Sequence, residues 1–467
     1  MAYTHYDRLT ALDNAFLDLE GPGVHMHVGS IGIFEPGPLG RPEGGIDFER
    51  VLEIVEAGLR RAPRFRQKLD SVPVSGHAVW VDDPHFHVRY HVRHTALPFP
   101  GDARRLKRLM GRIMSQKLDR ARPLWEMWVV EGLEEDRFAV ISKVHHCLID
   151  GISGVDLLAA FMGTDPEVRL ESAGGRWVPR PAPARARMLV DEAVRRASLP
   201  LRITRQAVGV LRSPGDTIDA AGHTAAGLVE AVGASLSPAS ETPFNLPIGP
   251  HRRFDWTRFD LGVVREVKTK LGGTVNDVVL ACVAGSVRGF LRHRRIDPTG
   301  IDFRVFVPVS TRTESERGKL GNRVSLIVAR LPVGEEDPRS RYEGVLAETR
   351  HMKESGQAEG NEALEDVADW TTTGLITRMS RLAATRRAYN MVVTNVPGPP
   401  FPVYMDGARL LESYPLVPLF EGQALGIALF SYAGGLYWGF NADWDAMPDL
   451  HVFVEMLERE FELLRKL

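Results

Sequence analysis

The stretch "VHHCLIDG", Val144 to Gly151, puts two adjacent histidines, a cysteine and an acid at the exit of a β-rich run, "RFAVISKVHH". Upstream lies a second such run, "LWEMWVVEGL", and the acidic turn "EEDR" between the two is a hairpin signal. Downstream, Gly151 and "ISGVDLLAAFMG" read as a turn into a buried helix, with Ser153 at its N-cap. This part of the chain therefore reads as mixed α and β, and the titratable cluster sits where a strand ends.

In an extended chain side chains alternate, so His146 shares a face with Phe138, Val140, Ser142 and Val144 while His145 lies opposite. Neighbours on opposite faces do not chelate one metal, and helical His spacing is missing, so the pattern disfavours a metal centre. Cys147 alternates away from His146, and a Cys-His nucleophilic pair would need a distant histidine; a small buried thiol is the simpler reading. Two readings then stand. His146 is a general base, with an imidazole whose ordinary pKa near ~6.5 lets it take a hydroxyl proton at neutral pH. Asp150 then orients the loop and Gly151 lets it turn. Alternatively, both histidines are structural.

Composition bounds the choice. A chain of 467 residues is long for one core, which favours two domains with room for a site between them. With 44% hydrophobic and 25% charged residues and a net charge of -2, it has the make-up of a globular protein and no electrostatic bias toward nucleic acid. The two cysteines, Cys147 and Cys282, do not suggest a disulfide framework and fit a reducing cytoplasm. The segment "MAYTHYDRLTALDNAFLDLEG" lacks the basic and apolar runs of a secretory signal. Apolar runs such as "VVLACVAGSV" are about half the roughly 20 residues of a spanning helix, so membrane contact, if any, is peripheral.

Further along, "HVGSIGIFE" reads as a strand, "DFERVLEIVEAGLRRA" as a helix, and "HAVWVDDPHFHVRYHVRH" as two short strands around Asp82 and Asp83. "GGRWVPRPAP", Gly174 to Pro183, breaks regular structure, and "SPASETPFNLPIGP" is a second irregular stretch before a new domain near Phe244. That domain offers a strand, a helix, the turn "LGGT" and a long helix starting near Asn276. Strand candidates follow in "FRVFVPVS", "NRVSLIVARLPV", "YNMVVTNVPG" and "ALGIALFSYAGGLYWGFNADW", and a final helix in "DLHVFVEMLEREFELLRK".

"HHCLIDG" matches the HHxxxDG signature of the bacterial wax ester synthase/diacylglycerol acyltransferase family, part of the CoA-dependent acyltransferase superfamily. Other segments resemble that family in the same order: "LTALDNAFLDLEGPGVHMHVGSIGIFE", "RPLWEMWVVEGL" with Pro123, Leu124 and Trp125, "TVNDVVLACVAG", "VPVSTR", "LGNRVS" and "VVTNVPGPP". The resemblance covers nearly the whole chain. It implies an α/β fold of two chloramphenicol acetyltransferase-like domains, each a mixed sheet with flanking helices, with an active-site tunnel at their interface. The boundaries expected are 1–173 for the domain carrying the motif, 174–243 for a partly helical, basic linker, and 244–467 for the second domain.

The activity implied is direct O-acyl transfer from acyl-CoA to diacylglycerol or a fatty alcohol. His146 resembles the catalytic base, His145 its neighbour, and Asp150 and Gly151 the residues that maintain the loop. Asn276 is a candidate oxyanion donor and equally an N-cap. Trp125, Asp277, Asn395, Pro397 and Gly398 resemble positions along the substrate channel. For Trp125 packing is the simpler reading, and for Asp277 complementing a helix dipole. Arg252 and Arg253 are candidates for CoA phosphates or for plain surface charge. No metal or resident cofactor is implied, and acyl-CoA is a substrate.

In the linker, Arg176, Arg180, Arg185, Arg187, Arg195, Arg196, Arg202, Arg205 and Arg212 outnumber Asp191 and Glu192 among interspersed apolar residues. That pattern suits a solvated linker helix, and also contact with an anionic membrane or lipid-droplet surface. A non-catalytic droplet-coating protein and a superfamily enzyme with another acceptor are the competing functions.

Overall fold

The computed structural model describes residues 6–148, 160–167, 177–197, 238–310, 324–354 and 388–467. The readings made for Asp150, Gly151, Ser153 and most of the linker lie outside the described residues. In the first half come β1 (Asp7–Arg8), α1 (Ala11–Leu19), β2 (His27–Phe34), α2 (Phe48–Gly58), β3 (Gln67–Ser71) and β4 (Ala78–Asp82). They are followed by α3 (Val88–His91), β5 (Val92–Ala96), α4 (Ala103–Met114), β6 (Trp125–Glu131) and β7 (Phe138–His145). The linker contributes α5, residues 185–197. The second half holds β8 (Arg252–Asp260), α6 (Leu261–Leu271), α7 (Val275–His293), β9 (Phe303–Ser310), β10 (Val324–Leu331) and α8 (Pro338–Glu354). It ends with β11 (Met391–Pro397), β12 (Tyr404–Met405), β13 (Ala408–Leu416), β14 (Leu425–Tyr432), β15 (Gly435–Asp443) and α9 (Leu450–Lys466).

Among the described residues two six-stranded mixed sheets carry the fold, in the orders β12-β13-β2-β7-β6-β5 and β10-β9-β11-β14-β15-β8, beside a small β1-β4-β3 sheet. β5 pairs parallel with β6, and β11 runs parallel to both β9 and β14, while the remaining pairs are antiparallel. Each large sheet backs onto its own apolar core, one built around Ile31, Val129 and Ile141 and the other around Val283, Phe290 and Phe440. The β6/β7 hairpin forms as its sequence dictates.

Two features depart from the sequence reading. The second strand expected in "HAVWVDDPHFHVRYHVRH" begins only at Val92, because His87 caps a helical turn, its Nδ1 accepting from the Arg89 N–H at 3.3 Å. More consequentially, β12 and β13 leave the second half and complete the first half's sheet, where β13 pairs antiparallel with β2. The division at residue 244 does not foresee this exchange.

The crossing needs a glycine: a Cβ on Gly439 of β15 would lie 1.7 Å from the carbonyl oxygen of Pro415 on β13. Gly439→Ala is therefore expected to destabilise the protein by about 1 to 3 kcal/mol or more through overpacking. Gly21→Ala, where a Cβ meets nothing within 4 Å, serves as the near-neutral control in thermal melts. Equal melting of the two variants would refute the tight crossing.

Candidate active site

β7 delivers the motif. Its neighbours clamp the last residues from both sides: the His145 N–H donates to the Leu124 carbonyl at 3.0 Å, and the His146 N–H to the Met26 carbonyl at 2.7 Å. The chain then leaves the sheet through a single 3-10 turn, His146–Leu148. Met26 itself is fully buried in a small cluster with Val24, Ile248 and Leu419. The motif thus sits where the two halves of the chain meet.

His145 is buried, and its Nδ1 accepts from the Cys147 N–H at 3.2 Å, with the Cys147 thiol 3.0 Å away. An accepting Nδ1 leaves the ring proton on Nε2, which faces the Glu20 carboxylate at 3.8 Å. Glu20 is held in turn by Arg120, at 3.1 Å from Nε and 2.8 Å from a terminal nitrogen, and lies 3.5 Å from His27. The register sets His27 of β2 directly opposite His145. His145 thereby fixes the turn on either side of His146 rather than offering a second base. Burial holds its pKa down at about 3 and pushes that of His27 well below the usual range.

His146 lies against Phe16, ring centroids 4.0 Å apart and 35° between planes. Its Nδ1 is shut off from solvent with no hydrogen-bond partner among the described residues. Burial lowers its pKa to about 4, partly offset by a contact with its own main chain. The imidazole is therefore neutral, with a lone pair for an incoming proton, across the neutral pH range. Cys147 presents no thiolate, because burial raises its pKa well above the ordinary thiol value. Among the described residues no three His, Cys, Asp or Glu side chains converge to hold a metal ion.

Two of the other candidates meet. Asn395 on β11 donates from Nδ2 to the Asn276 Oδ1 at 2.8 Å, which engages the Asn276 carbonyl and leaves its amide hydrogens for another acceptor. Asn276 is not the N-cap of α7. Thr274 takes that place in a capping box with Asp277. Both Asp277 oxygens are engaged, Oδ2 by the Thr274 N–H and hydroxyl at 2.6 and 2.7 Å and Oδ1 by the Thr349 hydroxyl at 2.6 Å. Pro397 closes β11, and the next residue, Gly398, donates to the Ser431 carbonyl at 2.9 Å where a Cβ would sit 2.3 Å from the Phe430 ring. Trp125 is buried in packing: its indole N–H donates to the Phe65 carbonyl at 2.8 Å and its ring stacks on His91.

Arg252 is no phosphate ligand. It is buried and donates to the carbonyls of Gly249, His251 and Gly23, the last from the other half of the chain. Arg253 lies on the Trp444 ring at 3.7 Å.

Sequence reasoning missed Glu20, Arg120 and Lys143. Lys143 is wholly buried two residues before His145 and donates to the carbonyls of Ile113, at 3.0 Å, and Gln116, closing the C-terminus of α4. Burial lowers its pKa to about 8. The "HMH" spacing, which sets His25 and His27 on one face of an extended chain, was the available signal for a polar layer behind the motif.

Comparison with known proteins identifies the family. Residues 9–279 match the family model described as the wax ester synthase/diacylglycerol acyltransferase catalytic domain, and residues 320–465 match the corresponding C-terminal domain. A putative diacylglycerol O-acyltransferase of Mycobacterium bovis is 35% identical over 462 residues, covering 95% of this chain and 92% of that protein. A probable diacylglycerol O-acyltransferase of Mycobacterium tuberculosis is 32% identical over 472 residues, covering 98% and 99%. Among solved structures, the wax ester synthase/diacylglycerol acyltransferase from Marinobacter aquaeolei VT8 superposes with a TM-score of 0.70 at 25% identity, covering 99% of this chain and 100% of that one. The first condensation domain of the calcium-dependent antibiotic synthetase shares the fold, with a TM-score of 0.60 at 16% identity and coverage of 99% and 96%.

Proposed function

The chain belongs to the wax ester synthase/diacylglycerol acyltransferase family and is an acyltransferase, and from that premise we propose that it moves a long-chain acyl group from acyl-CoA to a lipid hydroxyl, with His146 as general base. The acceptor is diacylglycerol or a fatty alcohol, and the product triacylglycerol or wax ester. The names carried by the mycobacterial relatives favour diacylglycerol.

His146 takes the hydroxyl proton as the oxygen attacks the thioester carbonyl. The tetrahedral oxyanion collapses, the C–S bond breaks, and the imidazolium returns its proton to the CoA thiolate. No acyl-enzyme is needed, in keeping with a cysteine whose thiol stays protonated. Asn276, its carbonyl engaged by Asn395, is the proposed oxyanion donor. A donor of this kind contributes about 3 to 4 kcal/mol to the barrier.

The observation that carries the reading is a neutral, half-buried His146 at the junction of the two halves, with its backbone N–H held by Met26, the residue before β2. Because the acceptors are insoluble in water, the reaction is placed at a lipid surface, on the cytoplasmic side of a membrane or on a lipid droplet.

The test is thiol release from palmitoyl-CoA by purified protein with dipalmitoylglycerol or hexadecanol, the ester being identified by mass spectrometry. Release that depends on acceptor is expected, greater with the diacylglycerol. No release with either acceptor would reject the assignment.

A further inference from the structure

Helix α5 is built inside out. An ordinary surface helix turns its apolar stripe to the core and its charges to water. In α5 the inward positions are Met188, buried with Tyr6, Val72, Val79 and Val81 of the small-sheet region, and Glu192 one turn on. Glu192 accepts from Arg8 at 2.7 Å, from Arg195 at 3.0 Å and from Arg196 at 2.7 Å, while Asp191 accepts from the Tyr6 hydroxyl at 3.0 Å. The Arg8 ion pair and the Tyr6 hydrogen bond tie the helix to β1 and the residue before it, and the surrounding arginines hold the Glu192 pKa down at about 2.

What faces outward is apolar: Leu189, Val190 and Val194 are 41%, 59% and 63% exposed, among the exposed alanines Ala186, Ala193 and Ala197. Val178, just before the helix, is 77% exposed. Around this strip lie Arg185, Arg187 and Arg196, the last two paired along the helix with Asp191 and Glu192; residues 177–197 carry five arginines against two acids, and one of the five, Arg180, pairs with Asp82. An apolar strip rimmed by cations matches a layered partner with a hydrocarbon interior and anionic headgroups at its border.

We propose that the outward face of α5, with Leu189, Val190 and Val194 at its centre and Arg185, Arg187 and Arg196 at its rim, docks the protein on an anionic phospholipid surface. This deepens the reading of a lipid acceptor and rests on it for its purpose. The test does not, because it needs neither substrate nor turnover.

The full chain is sedimented with vesicles of phosphatidylcholine containing phosphatidylglycerol, and with vesicles of phosphatidylcholine alone. Binding is expected to the anionic vesicles, weakened by salt and weaker on the neutral ones. The triple variant Leu189→Ser, Val190→Ser, Val194→Ser should partition at least roughly tenfold less while keeping its melting temperature, since these side chains are exposed. Arg185→Glu should lower binding to anionic vesicles by roughly fivefold and leave neutral vesicles unaffected. Equal partitioning of the triple variant and the parent would overturn the proposal. So would a melting temperature lowered by the triple variant, which would assign the strip to packing within this chain, or a parent dimer that the variant dissociates, which would assign it to a second copy.

Discussion

Replacing His146 by alanine is expected to lower kcat by about two to four orders of magnitude, the contribution typical of a positioned general base, with a smaller change in KM. Acceptor-dependent thiol release from palmitoyl-CoA reads this directly, and an unchanged melting temperature confirms that the turn still forms. Parental activity in the variant would remove His146 from the mechanism. The parent enzyme supplies a second check. A base of ordinary histidine pKa would lose about fourfold in kcat/KM between pH 8 and pH 6. With burial holding His146 at about 4, the rate should stay flat over that interval and its acid limb should lie well below pH 6. A limb centred near 6.5 would refute the desolvated imidazole.

The second large effect concerns stability. Burial lowers His25 to about 4, His145 to about 3 and His146 to about 4, and lowers His27, His77 and His91 as well. An unfolded histidine titrates near ~6.5, so below that pH the unfolded chain binds more protons and stability falls as pH drops toward the folded values. Each such group contributes a slope of about 1.4 kcal/mol per pH unit. By pH 5 the first three alone account for at most about 6 kcal/mol, comparable with the whole stability of many domains. Melting temperature should therefore change little from pH 8 to 7, where only the lowered Lys143 amine among these buried groups titrates, and fall steeply from about 6.5 to 5. The paired carboxylates do not enter there, since those of Asp82 and Glu192 are held below their ordinary range and lose their contribution only at lower pH. A flat profile to pH 5 would show that these imidazoles are solvated.

How much of this was legible in the sequence depends on how local the cause is. The β6/β7 hairpin was readable because its two β-rich runs and its turn lie within about twenty residues. β13 was not read as a strand at all: "ARLLESYPL" carries Glu412 and Pro415, residues poor in strands, and its partner β2 is far away in sequence. His146 was found through its motif and Asn276 through its own. Glu20, Arg120 and Lys143 stayed hidden, because charged side chains are normally outside and only tertiary contact shows them buried or engaged behind the motif. Asp277 was placed in the first turn of a helix from sequence, but only the structure shows both its oxygens engaged.

The pairing of β13 with β2 has a consequence for synthesis. Roughly 370 residues separate the end of β2 from the start of β13, so at ~5 to 20 residues per second the ribosome takes about 20 to 75 seconds to deliver the missing edge. During that interval the nascent first half lacks the partner of Gly29 to Phe34 along one side, an edge that is a template for pairing with other chains. That edge stays open until β13 is made, and the half that carries the motif reaches its final form only once most of the polypeptide has been made.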